Sequence, residues 1–111
     1  MEPATHTGSC MCGTVQFSFS GKPRFVAECV CHSCRTAHGA SAVPWVGVKS
    51  EQFRIEQGTD SVKWYASSPQ SERGFCIECG TRMFFRSSLW AGETHMTVSN
   101  MHPPHNLVPT L

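Results

Sequence analysis

Residues 8–19 read GSCMCGTVQFSF, with two thiols one residue apart, a glycine, and then alternating polar and apolar side chains. Val15, Phe17 and Phe19 are separated by Gln16 and Ser18, the period-two pattern of a strand that buries one face. A C-x-C-G turn running straight into such a strand points to a β domain held by metal at a strand end. Residues 75–80, FCIECG, repeat the theme: Gly80 follows Cys79 as Gly13 follows Cys12. In a metal knuckle, a glycine after the second cysteine allows a tight turn that aims backbone N–H groups at sulfur.

Working outward, short strand-like segments recur at 25–30, 41–48, 53–56, 62–66, 73–76, 81–86 and 95–99, with Pro44 predicting an edge or a bulge in the second of them. Turn signals lie between them at Ser20-Gly21-Lys22-Pro23, Gln57-Gly58-Thr59-Asp60 and Ser68-Pro69. One helical piece is predicted, the stretch HSCRTAHG after Cys31, with Ser33 as its cap and Gly39 as its stop. The expectation is a mainly β, small single domain over 1–111 built of short antiparallel strands, with one helical turn after the central cysteines. Residues 1–7 and the Pro-rich 102–111 are expected as extended tails.

The chain has 111 residues, enough for one modest core, and its nine Lys and Arg against eight Asp and Glu leave a net charge of +1 with no run of one sign. A nucleic-acid or anionic-membrane surface built on bulk charge is therefore not expected, and no apolar stretch is long enough to span a bilayer. No secretory signal is visible at the N-terminus, so the expected location is the cytoplasm. There, seven cysteines do not read as a disulfide framework; the odd number argues the same way.

The cysteines fall into three groups: Cys10 and Cys12; Cys29, Cys31 and Cys34; Cys76 and Cys79. Structural zinc takes four protein ligands, and a catalytic zinc keeps a position open. The matching glycines favour Cys10, Cys12, Cys76 and Cys79 as the set of four. Cys29 and Cys31 share a face of an extended segment, and Cys34 returns from the helix start, where a thiol ionises readily. A rival partition joins Cys31, Cys34, Cys76 and Cys79 across a gap of 41 residues and leaves Cys10, Cys12 and Cys29. Iron is a second candidate for four thiolates, and plain burial of small hydrophobic thiols is the bland reading. Zinc on three thiolates carries a net −1, which suits activation of an incoming thiol better than hydrolysis.

The motifs GSCMCGTVQF, CVCHSCRTAHG and ERGFCIECGTRMFF, with the Trp45 strand between the last two, resemble the glutathione-dependent formaldehyde-activating enzyme family (centromere-protein-V/GFA-like) over about residues 8–99. The resemblance implies a zinc-bearing β-tent fold, also found in a Rab-binding exchange factor and in methionine sulfoxide reductase B. By motif position it implies that Cys10, Cys12, Cys76 and Cys79 hold a structural zinc and that Cys29, Cys31 and Cys34 hold a second one. There the family is proposed to join glutathione to formaldehyde as S-hydroxymethylglutathione, the reverse counting as carbon–sulfur lyase activity. Met11 stands where the family often has His, which leaves the sulfur ligands intact. The chain stops at Leu111 where the family runs longer, so a shortened edge strand or a truncated chain is expected. Reductase chemistry is disfavoured because no cysteine follows Cys79.

Arg35, His38 and Arg73 are the expected glutathione contacts, with Arg82 another cation beside the metal motifs. His38, four residues after Cys34, is also a candidate fourth ligand, and His32 points away or accepts a thiol proton. Trp45, Trp64, Trp90 and Tyr65 are read as packing groups, Met83, Met96 and Met101 as fillers, and His102 and His105 as part of a solvated tail. Two functions follow: a zinc enzyme acting on a small-molecule thiol, as a monomer or weak homodimer, or a noncatalytic zinc-stabilised protein-binding module. An open coordination position separates them.

Overall fold

The computed structural model describes residues 4–110. Among the described residues nine strands form two antiparallel sheets: β1 (Thr5–Ser9), β2 (Gln16–Ser20) and β5 (Phe53–Gln57) in one, and β3 (Phe25–Cys29), β4 (Val43–Lys49), β9 (Glu93–Thr97), β8 (Arg82–Ser87), β7 (Ser71–Cys76) and β6 (Val62–Ser68), in that order, in the other. Among the described residues one α-helix, α1 (His32–His38), lies between β3 and β4, and the remaining helical pieces are short 3₁₀ turns. Among the described residues no helix is long and apolar enough to cross a membrane.

The cross-strand register divides the six-stranded sheet into two faces. One row of partners runs Val26–Val46–Met96–Phe84–Gly74–Trp64, and the next runs Phe25–Gly47–His95–Phe85–Arg73–Tyr65. Since neighbours along a strand point to opposite faces, the Val46 row forms the core and the His95 row faces away from it. Phe17 and Phe53 of the small sheet meet Phe84 edge-on, with ring centres at 4.9 and 5.3 Å, and Trp64 stacks on its far side at 5.9 Å. Such a buried phenylalanine is worth about 3–5 kcal/mol against truncation to alanine. Gly74 opposes Phe84 because a Cβ there would stand 3.1 Å from that residue and 3.2 Å from Trp64.

Pro44 lies within β4, which has β3 on one side and β9 on the other. Pairing with β9 begins only at Trp45, so Pro44 occupies the stretch that has a single neighbour. Three local expectations need correction. The segment 1–7 contains the start of β1: its sequence, THTGS, has no apolar alternation, but its backbone pairs with β2 from Thr5 to Ser9. The cap of α1 is Cys31, whose sulfur accepts from the N–H of Cys34, and not Ser33; Gly39 ends the helix as expected, with φ 60°. The segment after Met101 is not a free tail. His102 donates its N–H to the Thr7 carbonyl, its ring bonds the hydroxyls of Thr7 and Ser9, Leu107 is buried, and Thr110 donates to the Val26 carbonyl. Returning along both sheets, it satisfies the backbone at β1 and buries Leu107, while Val108 stays exposed. Residues 1–3 and 111 lie outside the described residues.

Candidate metal centres

The β1–β2 turn and the β7–β8 turn are built alike. Gly13 (φ 80°) donates its N–H to the Cys10 carbonyl at 3.1 Å, and Gly80 (φ 79°) donates to the Cys76 carbonyl at 2.8 Å. Val15 N–H points at the Cys10 sulfur and Glu78 N–H at the Cys76 sulfur, at 3.3 and 3.4 Å. The four sulfurs of Cys10, Cys12, Cys76 and Cys79 lie within 4.8 Å of one another, with Cys10 to Cys12 at 3.6 Å and Cys12 to Cys76 at 3.9 Å. Sulfurs sharing a tetrahedral zinc at about 2.3 Å stand about 3.8 Å apart, so this donor set fits the ion. Each turn also continues as Cys-Gly-Thr, and the hydroxyls of Thr14 and Thr81 lie 3.1 Å from the sulfurs of Cys12 and Cys79. The Thr81 hydroxyl pulls the Cys79 thiol down to about 5, Thr14 acts the same way on Cys12, and burial pushes Cys76 up to about 11. The two threonines escaped the reading of the sequence, although the repeated C-G-T was there to find.

A second cluster holds Cys29 at the end of β3, Cys31 at the helix cap and Cys34 in the first turn of α1, their sulfurs again within 4.8 Å. Cys34 is buried, Cys29 half-buried and Cys31 exposed. The Cys34 backbone N–H lowers the Cys31 thiol to about 7, whereas burial raises Cys29 to about 12. The thiol lowered here is therefore that of the cap residue, Cys31. Among the described residues no fourth Cys, His, Asp or Glu completes this group, and Cys31 and Cys34 are not brought beside Cys76 and Cys79 as the rival partition needs.

The three thiols open on a cavity of about 450 Å³ walled by Phe25, Trp45, Phe85, Trp90, Arg73 and His95. Five of these six were not read as site residues. Trp45 is buried against Cys34 and Val43, and His38 meets its ring edge-on from behind, 5.3 Å between centres. His38 thus stands outside the cavity wall; burial, with the charges of Arg73 and Arg82, lowers it to about 4 and keeps it neutral at pH 7. Arg35 is exposed on α1 and is also absent from the wall, because one helical step from Cys34 turns it about 100° away. Arg73, by contrast, lies on the cavity wall. It is only 5% exposed, its two terminal nitrogens point at the Cys34 sulfur at 3.8 and 3.7 Å, and among the described residues no carboxylate pairs with it.

His95 was missed altogether. It faces the cavity on β9, its Nε2 lies 3.0 Å from a Glu93 oxygen, and the other Glu93 oxygen accepts from Arg24 at 2.9 Å. Its signal in the sequence is a carboxylate and an imidazole two residues apart on a strand, hence on one face.

The family model for the glutathione-dependent formaldehyde-activating enzyme matches residues 5–111. No curated protein sequence matches the chain. Among solved structures, a Rhodobacter sphaeroides protein determined as a structural genomics target is similar, with 18% identity, a TM-score of 0.74, and 89% of this chain and 90% of that chain covered. At that identity the likeness carries the fold. With the match running through both cysteine clusters and every strand, the chain belongs to the glutathione-dependent formaldehyde-activating enzyme family.

Proposed function

We propose that the protein is a zinc-dependent carbon–sulfur lyase that forms and cleaves thiol–aldehyde adducts, with glutathione and formaldehyde giving S-hydroxymethylglutathione, or a related pair of substrates. The observation that carries this reading is the group of three thiols, with no fourth protein ligand among the described residues, open on an apolar cavity. Thiolates are the donors zinc prefers, and a zinc ion bound there would favour ionisation of a substrate thiol. The four-cysteine centre, closed by its own ligands, is the structural site.

The chain's own groups then do three things. Arg73, a buried cation held against the Cys34 sulfur, offsets the negative charge that three thiolates and a substrate thiolate bring together. Phe25, Trp45 and Phe85 keep bulk water from the sulfur and the aldehyde, so their encounter is set by position. The charged ends of glutathione stay outside this apolar wall, where the exposed Arg35 is available to a carboxylate. Thiolate sulfur attacks the carbonyl carbon, the S–C bond forms, and the C=O π pair moves to oxygen, which takes up a proton.

Glutathione added to the cobalt-substituted protein tests this. A rise in sulfur-to-cobalt charge-transfer absorbance with glutathione, and none with S-methylglutathione, is the expected result. No change with both sites loaded means closed coordination, and favours a noncatalytic zinc-stabilised binding module.

A further inference from the structure

We infer that His95 is the acid–base catalyst of this cavity, carrying the proton from the thiol to the aldehyde oxygen, and that Glu93 and Arg24 position it. The inference rests on the reaction proposed above and adds the group that moves its proton.

The geometry is that of an oriented imidazole. The Glu93 carboxylate, its other oxygen held by Arg24 at 2.9 Å, accepts, so the His95 Nε2 facing it at 3.0 Å is assigned the hydrogen and Nδ1 the lone pair. No described residue hydrogen-bonds Nδ1, and it is not a sealed orphan as the His6 Nδ1 is; on a cavity-wall residue it opens to the cavity. The ring is wedged by Phe25 edge-on at 4.9 Å, Phe85 at 5.7 Å and Trp90 at 5.6 Å. Gly47, its neighbour on β4, leaves room for the Phe25 ring, which a Cβ there would approach to 2.2 Å.

The charged and titratable groups around the imidazole are Glu93 on its own strand, Arg24 and Glu28 on the β3 side, Lys49 across from Glu93 on β4, Arg73 on β7 and the three thiols. Burial lowers the His95 pKa while Glu93 opposes it, and the net direction is downward, which leaves a neutral base at pH 7. The step balances within the substrates. Nδ1 takes the thiol proton, sulfur bonds to the carbonyl carbon, the π pair moves to oxygen, and Nδ1–H returns the proton to that oxygen. Cleavage runs the same path backwards, with no oxidant or reductant.

The test is the rate of formaldehyde exchange with S-hydroxymethylglutathione, followed by NMR on the zinc-loaded full chain, as a function of pH. His95→Gln is expected to lower the protein-dependent rate at pH 7 about 100-fold and to abolish the fall in rate on acidification that belongs to the imidazole. Zinc content and the cobalt response to glutathione should stay as in the wild type. Glu93→Gln, by removing the group that favours the imidazolium, should move that fall to lower pH. Rates for His95→Gln within twofold of wild type, with the same pH profile, overturn the inference and leave the function standing; a wild-type protein with no rate above background overturns both. Should His95→Gln lose its metal, Glu93→Gln decides, and an unmoved profile counts against His95.

Discussion

Thr14 and Thr81 each place a hydroxyl 3.1 Å from the sulfur of the cysteine two residues earlier. Groups behind a metal ligand typically tune affinity by about 10- to 100-fold. Thr81→Val is therefore expected to weaken zinc retention about tenfold in competition with a chromophoric chelator, with the fold unchanged; equal retention would show that the hydroxyl is only a neighbour. His38 makes a separate point about acid. Its folded pKa of about 4 lies below the ordinary histidine value, so the folded state resists protonation. Its contribution to stability is complete above about pH 6.5, declines as the unfolded chain takes up a proton below that, and is gone near pH 4. Discounted for partial exposure, the effect is roughly 2 kcal/mol. His38→Phe should accordingly flatten the fall in melting temperature between pH 7 and pH 5, and parallel curves for the two proteins would refute this.

At the scale of the element, the turns and strands carry the design of the site. Cys31 is both a thiol of the second cluster and the cap of α1. Serine is among the best caps, so Cys31→Ser should keep the helix and the melt while losing the cobalt response to glutathione; loss of the whole fold would contradict this division of roles. Gly47→Ala acts on a strand instead. Its new Cβ would drive the Phe25 ring from the cavity wall, costing about 1–3 kcal/mol, read as a melting temperature lowered by several degrees with full zinc content. Strands with period-two alternation were legible from sequence, and so were the two knuckles, because Gly13 and Gly80 announce their own turns. Strand β1 was not, since THTGS pairs through its backbone and carries no apolar rhythm. Neither was His95: its place beside Phe85 and Gly47 depends on β9 inserting between β4 and β8, and strand order is a long-range property. Arg73 was legible as a cation but not as the buried, carboxylate-free partner of Cys34, for the same reason.

Across the whole molecule, the four cysteines bring one turn of each sheet together at the end of the core, to which Cys10 and Cys76 themselves belong. Cys10 and Cys12 belong to the β1–β2 turn of the three-stranded sheet, Cys76 and Cys79 to the β7–β8 turn of the six-stranded one. Without a shared ion the sulfurs would be left with thiols of very different acidity, Cys79 near 5 and Cys76 near 11, the second of them fully buried. A structural zinc contributes on the order of 10 kcal/mol or more to folding, as much as the net stability of an ordinary small domain. Cys76→Ser should therefore abolish the cooperative melt and reduce bound zinc from two equivalents to one or none. Cys34→Ser, which removes a sulfur remote from this junction, should lose one equivalent and keep a melt. A Cys76→Ser protein with full zinc and a cooperative transition would mean that the aromatic contact of Phe17 and Phe53 on Phe84 suffices to hold the sheets, and that the metal there is not what closes the fold.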